Sequence, residues 1–334
     1  MTNNEVLMEI KNLKTHFNGD QGLVKAVDGV SISVKKGEAV AIVGESGCGK
    51  SVTSNSIMGL VQKPGRIVGG EIWFDNKDLT KIPEREYRKL RGDRISMIFQ
   101  EPLTSLNPVF TIGNQLDEIL ILHKKLSKKQ AKLESIKMLK KVGIPRPEKV
   151  YKSYSHSLSG GMRQRVMIAI ALSCDPELLI ADEPTTALDV SIQAQILHLM
   201  RQLSKEYNTA IIMITHDLGV VAEVADRVVV MYAGRVVEEG DVFTIFKNPK
   251  HPYTKGLLQS TPTIHQKNKE LNAIKGTVPT PSQMPKGCRF NPRCPMAMDV
   301  CFKEEPDLLT LENDNMVRCW LYDKKEEKPY AASH

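Results

Sequence analysis

The sequence predicts an α/β protein with a parallel sheet arranged around a phosphate-binding loop, and three observations lead there. Short apolar runs at Ala39–Val43, Leu178–Ala181 and Ile211–Thr215 have the length and composition of strands buried on both faces. The first run leads directly into GESGCGKS, Gly44 to Ser51, a complete P-loop pattern followed by a helically spaced segment from Ser51 to Leu60. The second ends in the adjacent carboxylates Asp182 and Glu183.

The loop pattern is specific because its glycines let successive backbone N–H groups point inward as an anion nest at a helix N-terminus. Lys50 is suited to the β and γ phosphates and the Ser51 hydroxyl to Mg²⁺, so ATP and Mg²⁺ are the expected ligands. Gly44, Ser46, Gly47, Cys48, Gly49, Lys50, Ser51 and Val52 form the expected nucleotide-binding stretch. Asp182 is a second magnesium partner, and Glu183 is placed to orient and polarise an attacking water. Cys48 fills a variable loop position, and a thiol beside a helix N-terminus is expected to be acidified and open to alkylation.

The remaining elements follow in order. Val6 to Val43 reads as strands separated by turns at Gly19–Gly22 and Lys35–Gly37, and Gly70–Phe74 adds another strand. The apolar run Ile95–Phe99 leads to Gln100. From Ile112 to Val142, Ile112, Leu116, Ile119, Leu120, Met138, Leu139 and Val142 recur at helical spacing, giving a helical block inserted in the α/β core. LSGGM, Leu158 to Met162, opens another helix, and its glycine N–H groups with the Ser159 hydroxyl offer a second anion site. Ser191–Leu203, Ile211–Thr215, Gly219–Val224 and Val228–Tyr232 resume the alternation of helix and strand.

Gln100, the Ser159-Gly160-Gly161 signature, Thr186-Ala187-Leu188-Asp189 and His216, in that order and spacing, resemble the Q-loop, signature, D-loop and switch histidine of an ABC-type ATPase. The resemblance runs from about residue 5 to residue 245. It departs from the usual pattern at Met162, where glutamine is commoner, which touches only that side chain's contacts. It implies an ABC-type P-loop core with an antiparallel β subdomain. His216 would sense the γ-phosphate, Gln100 would join Ser51 and Asp182 around Mg²⁺, and Phe17 would stack on adenine unless it is an ordinary half-buried strand residue. By the resemblance, Ser159, Gly160, Gly161 and Asp189 would face the nucleotide of a second ATPase subunit, and with one P-loop and one signature this chain would pair with another copy of itself or a related subunit.

QEPLTSLNP, Gln100 to Pro108, and HPYTKGLLQSTP, His251 to Pro262, narrow the resemblance to ATPases of dipeptide and oligopeptide importers, a group that includes nickel importers. This implies an ATPase domain over residues 1–250, with a helical subdomain at about 101–165, and an extension over 251–334. The implied partners are a sister or identical ATPase, two integral-membrane permease subunits and an extracytoplasmic peptide-binding protein. The implied place is the cytoplasm, peripheral on the inner face of the membrane. HPYT reads as a helix start that docks the tail onto the core.

Cys288, Cys294, Cys301 and Cys319, spaced C-x5-C-x6-C-x17-C, lie in a segment with few large apolar residues, so a cross-link is expected there. In a reducing compartment disulfides are disfavoured, and four thiolates suit zinc or an iron–sulfur cluster. Similar tails in the importer group imply a [4Fe–4S] cluster, with zinc the alternative. Cys174 reads as a small buried residue.

The chain has 334 residues and a formal charge of +7. No apolar run approaches the roughly twenty residues of a membrane span, and Met1–Glu9 is no signal peptide. The densest basic cluster, Lys124, Lys125, Lys128 and Lys129, reads as a solvated helix face. A soluble ABC ATPase acting on nucleic acid or ribosomes is the alternative function. Without tandem cassettes, long heptads or a concentrated basic stripe with aromatics, nucleic acid is not the expected partner.

Overall fold

A computed structural model describes residues 5–19, 22–100, 105–186, 188–260, 274–280 and 283–323. Residues 101–104 of the QEPLTSLNP run, Ala187, and Thr261 and Pro262 lie outside the described residues.

Two sheets carry the architecture. β1 (Val6–Gly19), β2 (Gly22–Lys35), β4 (Gly65–Phe74) and β5 (Lys77–Asp78) form an antiparallel sheet in the order β2-β1-β4-β5. The second sheet holds β3 (Ala39–Val43), β6 (Ile95–Ile98), β7 (Leu178–Asp182), β8 (Ala210–Thr215), β9 (Arg227–Tyr232), β10 (Arg235–Asp241), β11 (Leu309–Thr310) and β12 (Met316–Val317). Its order is β11-β12-β10-β9-β3-β8-β7-β6. The segment from β9 to β6 is parallel, so the carboxyl ends of β3, β8, β7 and β6 share one edge.

The apolar strand runs have no polar alternation because both of their faces are covered. Val40, Ile42, Ile180, Ile212 and Ile214 pack with the antiparallel sheet. Leu179, Ala181, Ile211 and Met213 point the other way, into the core of the helical region. The helix after the P-loop, α1 (Lys50–Ile57), is tied to β1 by Thr15 Oγ1 and Ser56 Oγ, 2.8 Å apart.

After α2 (Glu84–Leu90), the inserted helical block proves to be two helices where periodicity showed one continuous region: α3 (Ile112–Lys124) and α4 (Lys128–Lys141). Lys125 ends α3 in the left-handed conformation at φ 55°, and Ser127 with Gln130 forms a reciprocal capping box that starts α4. The basic cluster lies at this break, exposed. A short helix α5 (Pro147–Tyr151) leads toward α6 (Gly160–Leu172), which packs beside α7 (Val190–Tyr207).

β10 carries two adjacent glutamates, Glu238 and Glu239, and both are buried. Glu239 pairs with Arg227 of β9, and Glu238 accepts the N–H groups of Lys250 and His251 at 2.7 and 2.9 Å. Burial pushes both carboxyls up in pKa, while these partners stabilise their charged forms. Beyond α8 (Leu218–Val224) and α9 (Val242–Lys247), the HPYT segment starts α10 (Pro252–Gln259), whose N-cap His251 accepts the Tyr253 N–H at its Nδ1, 3.0 Å away. The docking reading of this motif therefore has a physical basis.

The C-terminal segment packs on the main sheet. β12 pairs with β10, and α11 (Asp299–Lys303) lies between the cysteines Cys294 and Cys319 in sequence. Phe290 packs against Tyr232, Tyr253 and His251 at ring separations of 5.2, 5.4 and 5.7 Å. Arg289 reaches back to Asp28 of β2. Phe290→Ala should cost about 3–5 kcal/mol by opening a cavity in this aromatic cluster. Calorimetric unfolding should show that loss, and limited proteolysis should cut the extension before the cassette; unchanged melting and uniform cleavage would contradict the packing role.

Candidate nucleotide site

The loop from Gly44 to Ser51 is shaped from outside as well as within. Gly44 and Gly49 have φ of 151° and 103°, and a Cβ on them would lie 2.2 Å from Met231 O and 2.3 Å from Ala26 O. Lys50 is buried, its ammonium donating to the carbonyls of Gly44 at 2.7 Å and Glu45 at 3.0 Å. The N–H of Gly234, in the β9–β10 turn, donates to Cys48 O at 2.9 Å, so the sheet also grips the far side of the loop.

Cys48 does not meet the expectation of an acidified thiol. It is fully buried, and desolvation pushes its pKa up although Lys50 and local N–H groups favour the thiolate. Val52 follows on α1, packed at the edge of the core.

The parallel edge collects the other candidates. The Ser51 hydroxyl donates to Asp182 Oδ1 at 3.2 Å, joining the loop to the end of β7. Burial raises the Asp182 carboxyl above its ordinary range, against the Ser51 hydrogen bond. Glu183 has a left-handed backbone at φ 47° and receives Gln100 Nε2 at 2.9 Å, Thr186 Oγ1 at 3.0 Å and His216 Nδ1 at 3.1 Å. Burial alone would raise its pKa, but the hydrogen bonds from His216 and Thr186 outweigh it and leave the carboxyl below its ordinary value. Gln100, Glu183 and His216, each of which follows an apolar strand run in the sequence, thus form one hydrogen-bonded cluster. Gln100 reaches it through its amide N–H₂, whereas magnesium would require the amide oxygen.

The signature makes none of the hydrogen bonds described for this cluster. Ser159 caps α6, accepting the Met162 N–H at 3.4 Å, and both Ser159 and Gly160 are exposed. Gly160 and Gly161 lie nearest to Leu188 and Ile192, so the signature abuts the segment that carries Asp189, itself exposed at the N-cap of α7. Phe17 is half-buried on β1, with its ring packed over Gly65 of β4.

Sequence reasoning missed Thr186 as a partner of Glu183. It also missed Tyr253 and Arg293, which hold the loop from the C-terminal side, and the loop residue they hold, Glu45. The Glu45 N–H donates to Tyr253 Oη at 2.8 Å, and its carboxylate takes Arg293 Nη1 and Nη2 at 2.6 and 2.9 Å. HPYT carried a sequence signal for Tyr253, though none for its target.

The four clustered cysteines form no disulfide. Among the described residues, no group of three or more His, Cys, Asp or Glu is placed to hold a metal ion, so the expected metal-bound extension is not supported as iron–sulfur or as zinc. The segment is ordered here by aromatic packing, strand pairing and arginine bridges, which supply the cross-links its composition lacks. Cys174 is buried, as expected.

The ABC transporter family profile matches residues 27–186, and that of the oligopeptide/dipeptide transporter C-terminal region matches residues 237–301. The oligopeptide transport ATP-binding protein AppD of Bacillus subtilis is 58% identical, covering 96% of this chain and 98% of its own. The dipeptide transport ATP-binding protein DppD of Escherichia coli is 49% identical, covering 94% and 96%. Among solved structures, the ATP-binding cassette MJ0796, a dimer in a post-hydrolysis state bound to ADP and Pi, superposes with TM-score 0.64 at 29% identity, over 70% of this chain and 98% of that one. The chain is an ATP-binding-cassette ATPase. Within that class it belongs to the family of oligopeptide and dipeptide transport ATP-binding proteins.

Thiol reagents should leave Cys48 unmodified in the folded protein at neutral pH and label it after denaturation, as mass mapping of alkylated peptides will show. Rapid labelling of Cys48 in the folded chain would contradict its burial.

Proposed function

We propose that this chain energises a peptide importer: it binds MgATP at the Gly44–Ser51 loop and hydrolyses it while paired with a second ATPase subunit. The observation that carries the catalytic part is the convergence on Glu183 of Gln100, Thr186 and His216, beside the Ser51–Asp182 contact. Lys50, Ser46, Gly47 and the loop N–H groups bind phosphate. Ser51, Asp182 and the amide oxygen of Gln100 would hold Mg²⁺, which would neutralise charge on the phosphates.

Glu183, kept ionised by its donors, takes up the proton of the attacking water, and His216 orients that water and contacts the γ-phosphate. Phe17 stacks on the adenine. Ser159, Gly160, Gly161 and Asp189 complete the opposite subunit's site; the exposure of Ser159, Gly160 and Asp189 supports that division. Loss of the γ-phosphate then releases the pair, and Gln100 couples the change to the permease.

The importer reading rests on the peptide-transport relatives. The partners are a second ATPase, two membrane permeases and an extracytoplasmic peptide-binding protein, with this subunit on the cytoplasmic face. Among the described residues no helix is long and apolar enough to cross a membrane, so the permeases supply the contact. The unit boundaries are 1–250 and 251–334, with the helical subdomain at about 101–165. The nucleic-acid or ribosome reading gains no support from these relatives.

We further propose that Cys288, Cys294, Cys301 and Cys319 ligate a [4Fe–4S] cluster, with zinc the alternative. Burial pushes Cys319 up to about 12 and Cys288 to about 11, and neighbouring thiols of the same set add to both shifts, so the four share one electrostatic neighbourhood. Backbone N–H groups of Phe290, Met296 and Leu321 favour the thiolates, and that of Met298 donates to Cys301 Sγ at 3.4 Å. A bound cation would supply the charge that lets these thiols ionise.

Glu183→Gln should bind MgATP while turnover falls by about a hundredfold or more. Steady-state ATPase and nucleotide binding will check this, and near-normal turnover would remove Glu183 from its role. Anaerobically purified protein should contain four irons and matching acid-labile sulfide per chain; one zinc would select the alternative, and no metal would refute the site.

A further inference from the structure

Every polar group of Glu45, the second residue of the loop, has a partner. Its carbonyl accepts the Lys50 ammonium at 3.0 Å and the Cys48 N–H at 3.3 Å, both from within the loop. Its N–H and its carboxylate turn outward, to Tyr253 Oη at 2.8 Å and to a two-point contact with the Arg293 guanidinium. Both outward partners follow the cassette in sequence, more than 200 residues from the loop.

These partners are themselves held. Tyr253 is fully buried and sits on α10, whose start is fixed by Glu238 of β10 through the Lys250 and His251 N–H groups. The Arg293 side chain is 4% exposed, and its remaining N–H groups donate to Lys275 O at 3.0 Å and Tyr232 Oη at 3.4 Å. A bidentate pair of this kind, its guanidinium buried and its carboxylate half-exposed, fixes geometry as well as charge. The path from main sheet to loop is continuous: β10 holds α10, Tyr253 and Arg293 hold Glu45, and the Glu45 carbonyl holds the Lys50 ammonium.

We infer that Tyr253 and Arg293 are positioning residues for ATP, acting through Glu45 to keep the start of the phosphate loop and the Lys50 ammonium in place. The inference rests on assigning ATP to the Gly44–Ser51 loop. Neither residue touches the Glu183 cluster through a hydrogen bond or ion pair described above, so their effect falls on nucleotide affinity and leaves the chemical step largely alone.

The test is MgATP binding and steady-state ATPase on the full-length chain, with thermal melting recorded for each variant. Arg293→Gln should raise the Kd and KM for MgATP about five- to tenfold while kcat stays within about threefold. Arg293→Lys, which keeps the charge and loses the two-point geometry, should recover part of that affinity. Tyr253→Phe removes one oxygen from a packed ring and should raise KM about two- to fivefold.

The Glu45→Gln, Arg293→Gln pair should be no worse than the poorer single variant, because both changes break the same contact. Wild-type KM in folded Arg293→Gln and Tyr253→Phe proteins would overturn the inference. So would a loss of activity that tracks only the fraction unfolded. Lys50→Ala tests the underlying assignment separately: if it binds ATP normally, the loop assignment fails, whatever the Tyr253 and Arg293 variants do.

Discussion

Gly44 sits where no side chain fits, because its missing Cβ would fall 2.2 Å from Met231 O, and Gly49 has the same relation to Ala26 O at 2.3 Å. Met231 belongs to the parallel sheet and Ala26 to the antiparallel one. The phosphate loop is therefore pressed between two sheets, and its shape is a consequence of how they pack. Any shift between them moves the loop, which makes the shared apolar core between the sheets a requirement for nucleotide binding as well as for stability.

The same constraint separates the roles of two adjacent carboxyls. Asp182 ends a fully buried strand, where desolvation pushes its pKa up and Ser51 is its hydrogen-bond partner. Glu183 turns out of the strand through a left-handed backbone and meets His216, Thr186 and Gln100, which hold its charge. Neighbours in sequence thus have environments that move them in opposite directions, the pattern expected where one carboxyl binds a cation and the next works on a proton.

Much of this was legible in the sequence. The strands Ala39–Val43, Leu178–Asp182 and Ala210–Thr215 lie where apolar runs placed them, because burial on both faces leaves a composition that few other elements share. Less legible was β10, whose buried Glu238 and Glu239 look like surface residues until their partners at Lys250, His251 and Arg227 are known. The Cys48 expectation failed for a related reason: helix-terminus chemistry is local and readable, but desolvation depends on what packs above the loop. The bond from Glu45 to Tyr253 spans 208 positions and lies outside any local pattern.

One contrast organises the functional account. The Glu183 cluster is assembled within this chain, whereas Ser159 and Gly160 are exposed, with Gly160 beside Leu188 and Gly161 beside Ile192. A structure of the Glu183→Gln chain with MgATP, in complex with its partner ATPase, tests that division most directly. The account predicts a γ-phosphate bound by Lys50 of one subunit and within hydrogen-bond distance of Ser159 from the other. A closed complex in which the γ-phosphate is enclosed by one subunit alone, with Ser159 left in solvent, would contradict it.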